Sequence, residues 1–340
     1  MKQYKNGPVT QIRVRTKQTV LLLYHRRVNV QAEVLTLTNK MNRNEWLDSR
    51  RVGIGGSDAG AIAGLNKWKS PVQVYLEKVG EAPKEDVKNE AVYWGNVMED
   101  IVAKEFQKRT GMKVRRRNAI LQHPEHPFML ANVDRLIVGK REGLECKTAS
   151  EFLKNKWTDD EVPPSYLLQC QHYMAVTGYE AWWIAVLIGG NKFVYKKIER
   201  DDELINYLIQ IEKDFWNNHV EKKIPPAFDG SDASKDLLNS MYPEAMKDTS
   251  IELSDDALTF IEALDQVKAE IKELETQKKE YENKLKSLIG ENEKAYAGER
   301  VITWKTIHSN RFDRKKFEKE HPDLFNKYTK QSSYRRFQVK

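Results

Sequence analysis

Cysteine is nearly missing from this 340-residue chain, which carries only Cys146 and Cys170. Two thiols build neither a disulfide framework nor a four-cysteine zinc or iron-sulfur site within one chain. Long apolar runs are missing too. The longest, residues 20–24, falls far short of the ~20 residues that cross a bilayer, and the N-terminus shows no signal-peptide core or cleavage pattern. A cytoplasmic protein with no membrane partner is therefore expected. No G-x-x-x-x-G-K-[ST] occurs, which excludes a P-loop for nucleoside triphosphate. Nor does one sign of charge dominate: 57 Lys plus Arg against 50 Asp plus Glu leave +7, an excess compatible with a polyanionic partner that does not require one.

What is present suffices for a folded core, since 40% of residues are hydrophobic and 31% charged, unlike a disordered or collagenous chain. The length favours one large domain with an appended arm. Residues 1–40 keep no period and read as an extension outside the main fold. A helix is signalled over 44–51, an Ala- and Gly-rich one over 59–65, a loop and short helix over 66–82, and a charged connection over 83–88. A strong helix spans 90–110 and stops at Gly111. The period then alternates, predicting strands over 113–121, 128–138 and 143–149. Pro163 and Pro164 open a helix that Gly178 closes, a hairpin pairs 182–188 with 192–198 around Gly189-Gly190-Asn191, and an amphipathic helix covers 204–220. That order is an α/β sandwich without the regular alternation of a doubly wound fold.

The main domain thus spans 41–225, and the Pro-, Asp-, Ser- and Lys-rich stretch 226–250 reads as a linker. The arm, 251–340, holds a heptad helix, a hairpin over 295–307, a basic helix over 311–328 and a basic tail. Ala257, Phe260, Leu264, Val267, Ile271, Leu274, Lys278, Tyr281, Leu285 and Leu288 follow a 3,4,3,4 spacing broken in character only by Lys278. Such a stripe docks on its own domain, on another copy or on a partner.

The stretch richest in chemistry is Asn132-Val133-Asp134 followed by Leu144-Glu145-Cys146-Lys147. On a strand alternate side chains share a face, so Glu145 and Lys147 project together, away from Leu144 and Cys146. If the preceding strand pairs with this one, Asp134 lies close to Glu145 in a two-carboxylate pocket of the kind Mg²⁺ prefers. The alternative is a surface salt bridge with Asp134 in a turn. The apolar surroundings favour burial, where unpaired charge is costly without a compensating cation.

Glu99 shares a helical stripe with Val102, Ala103 and Phe106, which suits a third acidic ligand or a hydrogen-bonded boundary residue. Gln169 and Tyr173 are i, i+4 neighbours able to serve one site, whereas Gln171 points elsewhere and His172 toward solvent. In the loop 53–58, Ser57 or Asp58 caps the next helix. Alternatively the glycine-exposed N–H groups and Ser57 hold a phosphate, with Arg50 or Arg51 supplying charge. His123 and His126 lack further ligands at metal spacing and read as loop packing.

Taken in order, these elements resemble the phage-lambda-type exonucleases and YqaJ-type viral recombinases, within the restriction-endonuclease-like nucleases marked by D and [DE]-x-K. Trp46 with Arg50, Gly53 and Ser57 repeats a W-x-x-x-R-x-x-G-x-x-x-S pattern, and Trp94-Gly95 through Glu99 a G-x-x-x-E helix. Asp134 with 144–147 supplies the nuclease core, and Gln169-Cys170-Gln171 through Val176-Thr177 the Gln-bearing helix. The resemblance covers 44 to about 220; residues 1–40 and 250–340 depart from the compact lambda pattern. It implies an α/β restriction-endonuclease-like core, a central mixed sheet flanked by helices, and a deoxyribonuclease.

The resemblance assigns Asp134 and Glu145, with Glu99 nearby and the Cys146 carbonyl, to Mg²⁺, for which Mn²⁺ substitutes at similar oxygen sites. Lys147 matches the lysine that positions the attacking water and offsets phosphorane charge. Arg50 and Ser57 match the pair that grips a terminal 5′-phosphate, and Gln169 with Tyr173 orders the site. Further implied are 5′-to-3′ degradation of double-stranded DNA ends, a single-strand annealing recombination protein as partner, and a ring-shaped homotrimer. The rival readings are an endonuclease of the same core and a non-catalytic DNA-binding factor using Arg311, Arg314, Lys315, Lys316, Arg335 and Arg336 as a phosphate-tracking surface.

Overall fold

The structure, a computed structural model, describes residues 31–82, 90–158 and 161–339. The chain divides into two units, one ending at Met241 and one beginning at Tyr242. In the first, β1 (Glu33–Leu37), α1 (Arg43–Arg51), β2 (Ile54–Gly55), α2 (Gly56–Ile62), α3 (Pro71–Val79) and α4 (Glu90–Thr110) precede five strands. These are β3 (Val114–Arg116), β4 (Ala119–Gln122), β5 (Met129–Ala131), β6 (Arg135–Ile137) and β7 (Glu142–Ala149). A 3₁₀ stretch, Glu151–Trp157, leads to α5 (Pro164–Thr177). The hairpin β8 (Ala181–Ile188) and β9 (Lys192–Glu199) follows, then α6 (Asp202–Phe215) with a π turn, and α7 (Asp232–Met241).

Local chemistry explains the helix ends. Asn42 accepts the Glu45 N–H while Glu45 accepts the Asn42 N–H, a capping box that starts α1. Ser70 and Pro71 start α3, and α5 begins on Pro164 and ends at Gly178, whose φ of 68° suits glycine.

Two sheets result. The larger is mixed, in the order β3-β6-β7-β8-β9, and the smaller runs β1-β4-β5-β2. Within the larger sheet β7 and β8 are parallel, with Glu145 opposite Ile184. A parallel pair needs a crossover, and α5 provides it, bringing a helix over one face. That face packs Leu136, Trp182, Ile184 and Val186 with Met174. The other packs Ile137, Leu144, Cys146 and Ala185 under Val102, Ala103 and Phe106 of α4. The result is the expected helix-flanked mixed sheet.

Several expectations are corrected. The strand expected over 113–121 is two, β3 and β4, in different sheets, and that over 128–138 is likewise β5 and β6. A strand that changes sheets keeps its period of 2, so alternation alone does not reveal the break. Of the extension expected over 1–40, residues 1–30 lie outside the described residues. Glu33–Leu37 instead joins the main fold as an edge strand antiparallel to β4. The linker expected over 226–250 contains α7, whose Leu237 packs with Val72, Leu76 and Phe215. His172 does not face solvent: fully buried, its ring nitrogens meet Glu212 Oε1 and the Leu130 carbonyl, each at 2.8 Å. The charged connection expected over 83–88 falls outside the described residues.

The second unit holds α8 (Asp256–Ile289), the hairpin β10 (Lys294–Ala297) and β11 (Arg300–Thr303), and two short helices, α9 (Arg314–Glu320) and α10 (Pro322–Tyr328). The single basic helix expected over 311–328 is split because Pro322 lacks an N–H and pushes His321 out of the helical region, to φ −135°. Among the described residues no helix is long and apolar enough to cross a membrane.

The His172–Glu212 pair ties α5 to α6. Burial works against the His172 imidazolium, but the Glu212 carboxylate outweighs it and raises its pKa above the ordinary imidazole range. Removing one partner of such a pair leaves a buried charge uncompensated, at about 3 kcal/mol. His172→Ala is therefore expected to lower the urea midpoint by that amount, and adding Glu212→Gln to recover part of the loss. A His172→Ala protein as stable as the wild type would show that the pair carries no such load.

Candidate active site

Asp134 stands where the chain leaves the smaller sheet after Ala131 and enters the larger one at Arg135. Because β6 pairs with β7, its Oδ2 accepts the Cys146 N–H at 2.8 Å, which fixes it against the strand that carries Glu145. Glu145 is 3% exposed. Its Oε1 accepts from Gln169 Nε2 at 2.7 Å and meets Lys147 Nζ at 2.6 Å. Its Oε2 is buried without a hydrogen-bond partner. Lys147 in turn lies over the Tyr166 ring, 5.3 Å from its centre.

The electrostatics follow from this crowding. Burial, with the Glu145 charge beside it, pushes the Asp134 carboxyl from an ordinary 3.8 up to about 7, against the pull of Lys147. Burial disfavours the Lys147 ammonium, yet Glu145 and Asp134 more than offset it and hold its pKa above the usual lysine range. Two carboxylates are thus held together with too little positive charge nearby for both to ionise freely. An orphaned carboxylate oxygen and a second carboxylate kept partly protonated are what a divalent cation relieves.

Among the described residues no three His, Cys, Asp or Glu side chains converge as a ready-made metal cluster. Two carboxylates, a backbone carbonyl such as that of Cys146, and waters are nevertheless a donor set that fits Mg²⁺, which keeps several waters.

Glu99 is not a third member of that group. It is bound to Arg135, whose Nη1 meets Glu99 Oε1 and the Asp134 carbonyl while Nη2 meets Asp100. Burial and the Asp134 charge raise the Glu99 pKa in spite of Arg135, so the two acids are neighbours. The sheet separates Glu99 from Glu145: Arg135 and Ile137 alternate toward α4, Glu145 toward α5. Glu99, Asp134, Arg135, Arg116, Arg117 and Asn118 line a cleft of about 260 Å³ that also reaches Thr38. Arg135 escaped the sequence reading, although its place next to Asp134 put it on the face of the Glu99 stripe.

A second cleft, of about 90 Å³, is lined by Arg50, Gly55, Gly56, Ser57, Asn132, Gln169 and Tyr173. Arg50 Nη2 donates to Ser57 Oγ at 3.0 Å, and its guanidinium lies over Trp46, 4.6 Å from the ring centre. Gly56 is required here, because a Cβ on it would meet Tyr173 Cε1 at 2.5 Å. Gln169 Nε2 also donates to the Tyr173 hydroxyl at 2.9 Å, and that hydroxyl to the Asn132 carbonyl at 3.2 Å. The one amide therefore links this cleft to Glu145, and Asn132 lines both clefts.

Asp58, expected with Ser57 as a cap, has a larger part. The N-cap is Gly55, whose N–H Asp58 Oδ2 accepts at 3.1 Å. The carboxylate is fully buried between Lys69 at 2.8 Å and Lys78 at 2.7 Å. Burial alone would raise its pKa; the two lysines hold it well below the carboxylate range. Lys78 also donates to the Arg50 carbonyl at 3.0 Å, so this buried network anchors both sides of the Arg50–Ser57 pair. A lysine inside the apolar helix Pro71–Val79 was the sequence signal for it. His123 accepts the Glu125 and His126 N–H groups, each at 3.1 Å, within its own loop.

The helix-flanked sheet and its acid, acid and lysine set belong to a recognisable class. The profile of the YqaJ-like viral recombinase domain matches residues 45–180, the stretch that runs from Trp46 and Arg50 to Tyr173. The chain is 47% identical over 312 residues to the protein YqaJ of Bacillus subtilis (strain 168), across 91% of this chain and 98% of that protein. The chain belongs to the YqaJ-like viral recombinase family.

Among solved structures it is similar to an alkaline exonuclease (LHK-Exo) from Laribacter hongkongensis, with a TM-score of 0.45 and 19% identity over 53% of this chain and 94% of that one. It is also similar to a phage related exonuclease from Haemophilus somnus 129PT, with a TM-score of 0.41 and 13% identity over 50% of this chain and 96% of that one.

Asp134 sets a pH signature. Between its ordinary 3.8 and about 7 the folded, metal-free protein keeps a proton that the unfolded chain has released. The contribution to stability is full below that window and lost as pH rises through it. In EDTA the wild type is expected to lose roughly 2 kcal/mol between pH 5 and pH 8 that Asp134→Asn does not lose. Equal pH slopes in the two proteins' urea midpoints would place the charge conflict elsewhere.

Proposed function

We propose that this protein is a Mg²⁺-dependent deoxyribonuclease that degrades linear duplex DNA from its 5′ ends, working in phage-type recombination beside a single-strand annealing protein. The observation that carries the reading is Glu145. Its one oxygen is fixed by Lys147 and Gln169 while the other is buried with no protein partner. Family membership supports the recombination setting; the lambda-type pattern of the motifs supports the polarity. Asp134, Glu145 and the Cys146 carbonyl are the residues that would hold the cation. Bound there, it would supply Lewis-acid polarisation of the scissile phosphate.

The chain's own groups do the rest. Lys147, fixed against Glu145, has hydrogens left to orient the attacking water and to offset charge on the phosphorane as the water oxygen bonds to phosphorus and the 3′-oxygen leaves. Arg50, Ser57 and the N–H groups at the start of α2 grip the terminal phosphate. Each cut leaves a new 5′-phosphate, the group this pocket takes, so the product end is the next substrate end. Glu99 acts through Arg135, as a positioning residue for Asp134.

The test is degradation of linear 5′-phosphorylated duplex beside closed circular duplex, with Mg²⁺ or EDTA. Loss of linear DNA alone, abolished by EDTA and reduced ~10²- to 10³-fold in Glu145→Ala and Lys147→Ala, is expected if one transition-state stabilising group is removed. Cutting of the circle would replace the end-processing reading with an endonuclease. DNA binding without any cutting would replace it with a non-catalytic factor.

The pocket has its own readout. Arg50→Ala is expected to slow degradation of 5′-phosphorylated ends ~10- to 100-fold, as loss of a charge-assisted contact of about 1.5 to 3 kcal/mol implies, and to erase the preference over 5′-hydroxyl ends. If that preference survives, the pocket does not read the terminal phosphate.

A further inference from the structure

The helix α8 is 34 residues long and only Ile289 in it is buried. Its a and d positions are apolar except for Lys278, yet Phe260, Val267, Ile271, Leu274, Tyr281, Leu285 and Leu288 are 42% to 83% exposed and Leu264 is only half-buried. Heptads sustained over at least three or four repeats mark a helix that completes its core against another helix, and this stripe runs through all of α8.

We propose that α8 pairs with α8 of a second copy of this chain as an antiparallel coiled coil. The charges choose both the occupant and the direction. With a positions at 257, 264, 271, 278 and 285 and d positions at 260, 267, 274, 281 and 288, a parallel pair would set Lys278 against its own copy in one core layer. It would also place Glu270 beside Glu275 of the second copy, a like-charge contact at the g and e positions occurring twice. The antiparallel pair that overlaps the whole stripe sets Ile271 opposite Leu274, Leu264 opposite Tyr281, and Lys278 opposite Val267. Its flanking e positions bring Lys268 to Glu275 of the second copy, twice by symmetry, and no like charges meet.

Lys268 is held on its own helix by Asp265 at 2.9 Å in an exposed pair, of the kind worth little and readily exchanged. A lone lysine at an a position fixes orientation in this way at a cost in stability. The pairing is independent of the nuclease reading and joins two copies whatever assembly the first unit forms.

Cysteine pairs read the register directly. The two native thiols are buried. Positions 264 and 281 of one helix are about 25 Å apart at ~1.5 Å per residue, so no disulfide forms between them within one chain. In the full chain, the double variant Leu264→Cys, Tyr281→Cys is expected to give a covalent dimer on mild oxidation, whereas each single variant stays monomeric under denaturing, non-reducing conditions. Adding Ile271→Glu is expected to abolish the dimer while circular dichroism still reports a folded helix. Crosslinking of either single variant would overturn the antiparallel direction. No crosslink in any variant, with helix content intact, would overturn pairing of copies and leave the stripe to another protein or to the chain's own first unit.

Discussion

A carboxylate as deeply buried as Glu145 has lost its hydration and must be held by fixed donors and charges. Here the compensation is arranged unevenly: Lys147 and Gln169 both serve Oε1, and Oε2 has none. Asp134 answers by keeping a proton until about pH 7. A protein selected only for stability would gain by replacing either acid, since a partly satisfied buried group is worse than an apolar one. The fold tolerates the conflict, and the surrounding elements can be understood as what makes it sustainable.

Those elements act through topology more than through contacts of their own. Leaving the smaller sheet at Ala131 and entering the larger at Arg135 ends the ladder beside Asp134, whose side chain takes the Cys146 N–H. The parallel pairing of β7 and β8 forces a crossover, and the crossover helix delivers Gln169 and Tyr173 over the same face as Glu145. On the far face α4 packs its apolar stripe and leaves Glu99 to Arg135 at the start of β6. Each acid is thus placed by a different feature: a change of sheet, a strand interior and a helix face.

This division explains what was legible in the sequence. Strand alternation located Glu145 and Lys147, and helical spacing located Gln169 with Tyr173, because both are local periodicities that survive folding. Spacing left Arg50 and Arg51 both open as the charge beside Ser57, and the family resemblance chose Arg50. Spacing did not find the two sheets, since 113–121 and 128–138 keep one period through a change of partner. Nor did it find the pairs that are close only in space: His172 with Glu212 and Arg135 with Glu99 span 40 and 36 residues. Asp58 with Lys69 and Lys78 is the same case at shorter range. A buried ion pair leaves no mark on local hydropathy except a charge where an apolar residue belongs, and Lys78 was such a mark.

The cleft of Arg50 and Ser57 is mechanically tied to Glu145. Tyr173 closes against Gly56 so tightly that no Cβ fits between them, and its hydroxyl is held between Gln169 and the Asn132 carbonyl. Gln169 then orients the Glu145 oxygen that Lys147 also holds. On the other side of Gly56, the Asp58 carboxylate and its two lysines fix the loop that bears Ser57 and the end of the helix that bears Arg50. A phosphate held by Arg50 and Ser57, as proposed, would therefore be set relative to Glu145 through the packing of Gly56 on Tyr173 and the buried hydrogen bonds from Tyr173 through Gln169. Rigidity of this kind suits the proposed end-processing activity, because any slack between Arg50 with Ser57 and the acids would be slack in which phosphodiester is presented for cutting.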